Sequence, residues 1–172
     1  MVHIRKVHSV FFQVAPVWLR NRAAGTVEEY RRGSRLPKEV CVVRIFVVDD
    51  NPMIRSQIRS LLERREEWVV VGEASNGLDA VETCGEHTPN LTVMDLQMPE
   101  MNGLQAARVL VKQQPDVPIL MITVDPSRQL EEEAKKAGIK GLCAKSQIRS
   151  LMNAVERLLQ GKTYFPLARA TA

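Results

Sequence analysis

The chain has 172 residues, 45% of them hydrophobic, 26% charged and only 5% aromatic, with a formal net charge of +4. That suffices for one globular domain whose core is mostly aliphatic, and no apolar run approaches the ~20 residues of a membrane span. Three scattered cysteines (Cys41, Cys84, Cys143) have neither metal-ligand spacing nor the even count of a disulfide framework, which points to a reduced, cytoplasmic protein.

The charge is unevenly placed. Residues 1–44 carry nine basic and three acidic side chains, a net of +6 that leaves −2 for the remainder. The basic character belongs to the N-terminal segment, so direct nucleic-acid binding by the rest is not expected. Residues 1–41 show no clear period, and their apolar cluster from Val7 to Leu19 is broken by Pro16. The expected reading is a disordered basic extension, with an Arg-rich targeting or membrane-surface segment as the alternative.

Regular structure is predicted from Val42. Val42–Val48 reads as a buried strand ending in Asp49-Asp50, and Asn51-Pro52 opens a helix with Ile54, Ile58, Leu61 and Leu62 at helical spacing. Trp68–Gly72 is a second strand. A short helix from Gly77 to about Glu86 places Leu78, Val81 and Cys84 on one side. Leu91–Asp95 is a third strand, followed by a loop marked by Pro99 and a helix from Gly103 to Gln114. Val117–Thr123 is a fourth strand. Ser127 is placed to cap a helix reaching about Ala137, with Glu131/Lys135 and Glu132/Lys136 pairs suited to an exposed face, and Gly138 ends it. Ile139–Ala144 is a fifth strand leading to Lys145. Ser146 is expected to cap the last helix, whose Ile148, Leu151, Met152, Val155, Leu158 and Leu159 form one apolar stripe before Gly161.

Five strands alternating with five helices predict an α/β protein with a doubly wound parallel sheet. Ligand sites in such sheets lie outside the carboxyl ends of the strands, where Asp49, Asp50, Asp95, Thr123 and Lys145 all fall. Carboxylates that converge repel one another unless a cation joins them. Oxygen donors without His or Cys favour Mg2+ or a similar hard ion. A lysine and a hydroxyl at the same edge could hold phosphoryl oxygens, and an aspartate can itself be phosphorylated. Each residue has a plainer role: Asp49 or Asp50 as a helix cap, Asp95 as a turn residue, Thr123 as a strand residue, Lys145 as a solvated lysine. The joint pattern favours the shared site.

Asp49-Asp50, Met94-Asp95-Leu96-Gln97-Met98-Pro99 with Met101-Asn102-Gly103, Thr123 and Lys145 resemble the receiver domain of bacterial two-component response regulators. The resemblance covers residues 42–161, with 1–41 as extension and 162–172 as a short C-terminal tail. It implies a flavodoxin-like sheet of order 2-1-3-4-5. It also implies that Asp95 takes a phosphoryl group from a sensor histidine kinase or phosphotransfer protein. Asp50 would ligate Mg2+ directly, Asp49 through water, and the Gln97 carbonyl would add a further ligand. Thr123 would move to bond the phosphoryl group and Lys145 would pair with it. The chain would then be no enzyme in the ordinary sense, catalysing only its own phosphoryl transfer and dephosphorylation. Its switched surface would be the fourth helix, fifth strand and last helix, a face for a partner or a homodimer.

Three positions depart from the family pattern. Leu142 stands where an aromatic residue is common, Val124 where alanine is common, and Ser146 where proline is common. Val124 is expected to narrow access to the acyl phosphate and slow its hydrolysis. Gly141–Ser146 and Gly161–Pro166 are similar to the subgroup that carries a helix-turn-helix output. Only eleven residues follow Gly161, too few for that module. The expectation is a stand-alone receiver or a regulator that has lost its output domain. The alternatives are an interaction module that is never phosphorylated, an Mg2+-dependent phosphatase, and nucleic-acid binding through the extension. Gln97 weakens the second, because such phosphatases use a second acid two residues after the nucleophile.

Overall fold

The computed structural model describes residues 42–166; the predicted extension (1–41) and the end of the tail (167–172) lie outside the described residues. Five parallel strands, β1 (Val43–Val48), β2 (Trp68–Ala74), β3 (Leu91–Asp95), β4 (Ile119–Thr123) and β5 (Gly141–Ala144), form a sheet of order β2-β1-β3-β4-β5. The helices are α1 (Pro52–Leu62), α2 (Gly77–Thr83), α3 (Gly103–Gln113), α4 (Arg128–Lys136) and α5 (Ile148–Leu159). This is the predicted doubly wound architecture, and its order is the one the resemblance implied.

The two faces of the sheet bury different side chains. On one face Ile45, Val47, Val93, Leu120 and Ile122 meet Ile58 and Leu62 of α1 and Leu151, Val155 and Leu158 of α5. On the other, Phe46, Val48, Met94 and Met121 meet Ala80 of α2, Ala106, Ala107 and Leu110 of α3, and Ala134 of α4. Every residue of β3 and β4 is buried, as expected of central parallel strands covered on both sides. The alanines let helices approach the sheet closely, which suits a core with few aromatic rings.

Several predicted details change. Strand β4 begins at Ile119 rather than Val117, because Pro118 has no N–H to give the ladder; its carbonyl accepts from Thr92 N at 3.0 Å. Ser146 does not cap α5. The chain makes a 3-10 turn over Lys145–Gln147 straight after β5, and Gln147 takes the cap position without a side-chain bond. Leu78 is exposed, and α2 is shorter than predicted because a 3-10 turn over Cys84–His87 replaces its end. Glu131 is buried and not on an exposed face: it lies three residues before buried Ala134, on the sheet side of α4, with Lys135 Nζ 3.6 Å away.

The tail is partly structural. Past Gly161, which adopts a left-handed φ of 74°, Tyr164 N donates to Lys140 O at 3.0 Å and Leu142 N donates to Tyr164 O at 2.8 Å. The segment thus lies along the open edge of β5. Tyr164 packs toward the α5 face and Phe165 toward the α4 face, where Lys135 Nζ stands 4.7 Å from the Phe165 ring centre.

Candidate functional site

The carboxyl ends of β1 and β3 set the acids side by side. Val48 pairs with Met94 in the sheet, so the next residues, Asp49 and Asp95, emerge together. Ligand oxygens of Asp49, Asp50 and Asp95 all lie within 4.8 Å of one another. Asp49 is fully buried and Asp95 nearly so, whereas Asp50 is exposed at the mouth. Neither Asp49 nor Asp50 caps α1. Asn51 does, its side chain accepting from Met53 N at 2.9 Å, which leaves both acids to the cluster. Asp49 Oδ1 accepts from Asn51 N at 2.9 Å.

Lys145 enters from the end of β5. Its Nζ stands 2.8 Å from Asp49 Oδ2 and 2.9 Å from Asp95 Oδ2, and its side chain is only 19% exposed. It is therefore not a solvated lysine. Among the described residues, Asp49 Oδ2 has that ionic neighbour but no well-directed hydrogen bond, so it keeps an acceptor site inside the cluster.

Burial raises the Asp95 pKa above the ordinary carboxylate value, and the Asp49 charge adds to it. The bond and charge of Lys145 and a hydrogen bond from the Gln97 backbone amide pull the other way without cancelling the rise. For Lys145, burial lowers the pKa but the two acids outweigh it, so the ammonium is held charged above its usual value. One ammonium among three carboxylates leaves a formal deficit of two positive charges. An all-oxygen donor set with that deficit fits a hard divalent cation.

Thr123 is buried at the end of β4, and its hydroxyl accepts from Asp125 N at 3.3 Å. Sheet register brings it to the site: Asp95 pairs with Ile122, and Thr123 with Ala144, the residue before Lys145. Gln97 is exposed and lines an open groove with Asp50, Met98, Asn102 and Glu133. All six predicted site residues thus gather at one sheet edge. Val124, the residue after Thr123, is 69% exposed.

The loop after Asp95 turns back on itself. Gly103 N donates to Leu96 O at 2.9 Å, and a Cβ at Gly103 would stand 2.0 Å from the Asp95 carbonyl oxygen. Only glycine permits that approach. Gly103→Ala is expected to lower unfolding stability by about 3 kcal/mol, read by urea denaturation, because backbone and not a flexible side chain must give way.

Sequence reasoning did not single out Arg55, whose Nη1 donates to the Asp49 carbonyl at 2.7 Å. The signal was available: Arg55 lies one turn after the cap, its amide bonded to Asn51 O, and so faces the acidic loop.

Residues 45–156 match the family model described as the response regulator receiver domain. The chain is 33% identical over 124 residues to the response regulator UvrY of Escherichia coli, an alignment covering 72% of this chain and 57% of that protein. It is 30% identical over 124 residues to BvgA of Bordetella pertussis, described as a transcription regulator of virulence factors, covering 72% and 59%. Among solved structures, a LuxR-family two-component response regulator from Aurantimonas sp. SI85-9A1 superposes with a TM-score of 0.69 at 34% identity, covering 72% of this chain and 89% of that one. The signal receiver domain of NarL from Mycobacterium tuberculosis gives 0.66 at 28% identity, covering 70% and 98%. The chain therefore spans less than three fifths of the length of UvrY and BvgA, and the shared part is the receiver.

Proposed function

The chain belongs to the response regulator receiver family, the signal-receiving part of two-component systems, and on that premise we propose that Asp95 is its phosphoacceptor. The observation that carries this reading is the position of Asp95. It is a buried carboxylate at a strand end, 2.9 Å from Lys145 Nζ, with an oxygen within 4.8 Å of oxygens of two further acids. An ionised Asp95 oxygen attacks the phosphorus of a phosphohistidine on a histidine kinase or phosphotransfer protein. The new O–P bond forms as the P–N bond breaks, and the imidazole leaves with its electron pair and takes a proton from solvent. Lys145 then faces a phosphoryl oxygen, and Thr123 gives up the Asp125 amide to donate its hydroxyl to another.

Asp49, Asp50, Asp95 and the Gln97 carbonyl would hold Mg2+, which supplies neutralising charge for the transferred phosphoryl oxygens. Holding the acids in register, shielding the acyl phosphate and moving Thr123 fall to the protein. The setting we propose is the cytoplasm. The surface that changes is that of α4, β5 and α5, where a partner or a second copy of the chain would bind. Along β5 that surface includes the attached Tyr164–Phe165 segment, and Leu142 is fully buried in the α4-side core behind it.

The test is incubation of the purified chain with a small phosphodonor and Mg2+. One phosphoryl group should be added, labile to hydroxylamine as acyl phosphates are; no addition at millimolar Mg2+ would sink the reading. Val124→Ala is expected to shorten the lifetime of the acyl phosphate several-fold, because an exposed branched side chain next to Thr123 would hinder an attacking water. The decay rate of the labelled protein decides it, and an unchanged or longer lifetime counts against the shielding role.

A further inference from the structure

The arginine beside the acidic loop is tied down as well as close. Arg55 Nη1 bonds the Asp49 carbonyl at 2.7 Å and reaches the Asp50 carbonyl at 3.5 Å, while its Nε bonds Glu73 Oε2 at 3.1 Å. Glu73 sits on β2, paired with Val47 two residues before Asp49. Its other oxygen accepts from Arg59, at 2.8 Å from Nε and 2.7 Å from Nη2. Arg59 in turn bonds Glu63 at 3.1 Å and the Val70 carbonyl at 3.2 Å. The guanidinium of Arg55 is the one part of this network that touches the acidic loop.

Lys145 grips the side chains of Asp49 and Asp95 but is not paired with Asp50. Exposed Asp50 therefore depends on its own backbone to stay near two like charges that repel it. We infer that Arg55, braced by Glu73, is a positioning residue that fixes the Asp49-Asp50 backbone and thereby sets the affinity of the site for a divalent cation. The inference rests on the reading of Asp49, Asp50 and Asp95 as a cation site. A guanidinium can bond Glu73 and a carbonyl at once through its fork. A lysine ammonium in the same place keeps the charge but cannot span both with that geometry.

Titration calorimetry of Mg2+ alone into the full chain tests this, with circular dichroism confirming that each variant is folded at the titration temperature. Arg55→Ala is expected to bind Mg2+ about tenfold more weakly, the usual scale for losing a group that orients a ligand. Arg55→Lys should recover only a minor part of that loss. Arg59→Ala, which breaks the same helix-to-strand network away from the loop, should stay within about twofold of the unaltered chain. Phosphorylation of Arg55→Ala by a small phosphodonor should be slow at low Mg2+ and approach the unaltered rate at saturating Mg2+.

Equal affinity in Arg55→Ala and the unaltered chain overturns the inference. So does full recovery by Arg55→Lys, which would make charge sufficient, or an equal loss in Arg59→Ala, which would make the effect one of general stability. If Arg55→Ala does not fold, Arg55→Lys decides alone, with several-fold weaker binding expected. An unaltered chain that takes up no Mg2+ at millimolar concentration overturns the cation site and this inference together. Binding by the unaltered chain with no change in the variants overturns only the role of Arg55.

Discussion

An Asp95→Asn chain should fold and take up no phosphoryl group, with labelling by a small phosphodonor falling at least about a hundredfold, to background. The amide has nearly the shape of the carboxylate, so β3 and its buried neighbours need not shift. It has no anionic oxygen to attack phosphorus. Burial and Asp49 already hold the Asp95 pKa above the usual carboxylate value, so its ionised form is disfavoured where it stands. A folded-state pKa above the unfolded one adds stability below the unfolded value, and that stability is lost as pH rises through the folded value. At neutral pH the ionised nucleophile therefore costs stability, which the asparagine avoids. For the unaltered chain the same shift has a kinetic consequence. The phosphorylation rate should fall on acidification at a pH above that at which an ordinary aspartate titrates. Labelling of the variant at the unaltered level would place the acceptor elsewhere.

Much of this arrangement was legible because strand ends are punctuated in the sequence. Apolar runs stop at Asp49, Asp95 and Thr123, and alternation of strand with helix forces those stops to one edge. What was not legible depended on contacts between distant segments. The burial of Glu131 follows from the side of α4 that meets the sheet, which charge spacing within the helix cannot reveal. Ser146 is a good capping residue by type, but the 3-10 turn after β5 places Gln147 at the cap instead. The attachment of Tyr164 to β5 needed knowledge that this edge of the sheet was open. The pairing of Arg55 with Glu73 joins α1 to β2, and helix spacing alone does not reach that contact.

Lys145→Ala should damage both chemistry and stability, because one ammonium serves two acids that are 0% and 4% exposed at their side chains. Removing a single partner leaves buried carboxylates without compensation, which costs several kcal/mol in a closed interior. The opening at Lys145 admits some water, and a loss of about 2 kcal/mol is expected at neutral pH, or roughly 8 °C in Tm. The sign of the pH dependence follows from the acids. Without the lysine, only the Gln97 amide is left to lower the Asp95 pKa while burial and Asp49 still raise it, so its folded value climbs further above the unfolded one. Stability of the variant is then retained where the carboxyl is protonated and lost as pH rises through the raised value. The deficit should shrink on acidification and be widest near neutrality. Mg2+ should raise the Tm of the variant more than that of the unaltered chain, since the ion would be the remaining cation for the cluster. Phosphoryl uptake should fall steeply even at saturating Mg2+, which separates a direct role of the lysine toward the phosphoryl oxygens from its role in holding Asp49 and Asp95 together. A variant as stable as the unaltered chain at neutral pH, with no response to acid or Mg2+, would mean that the acids are not held in one coupled cluster.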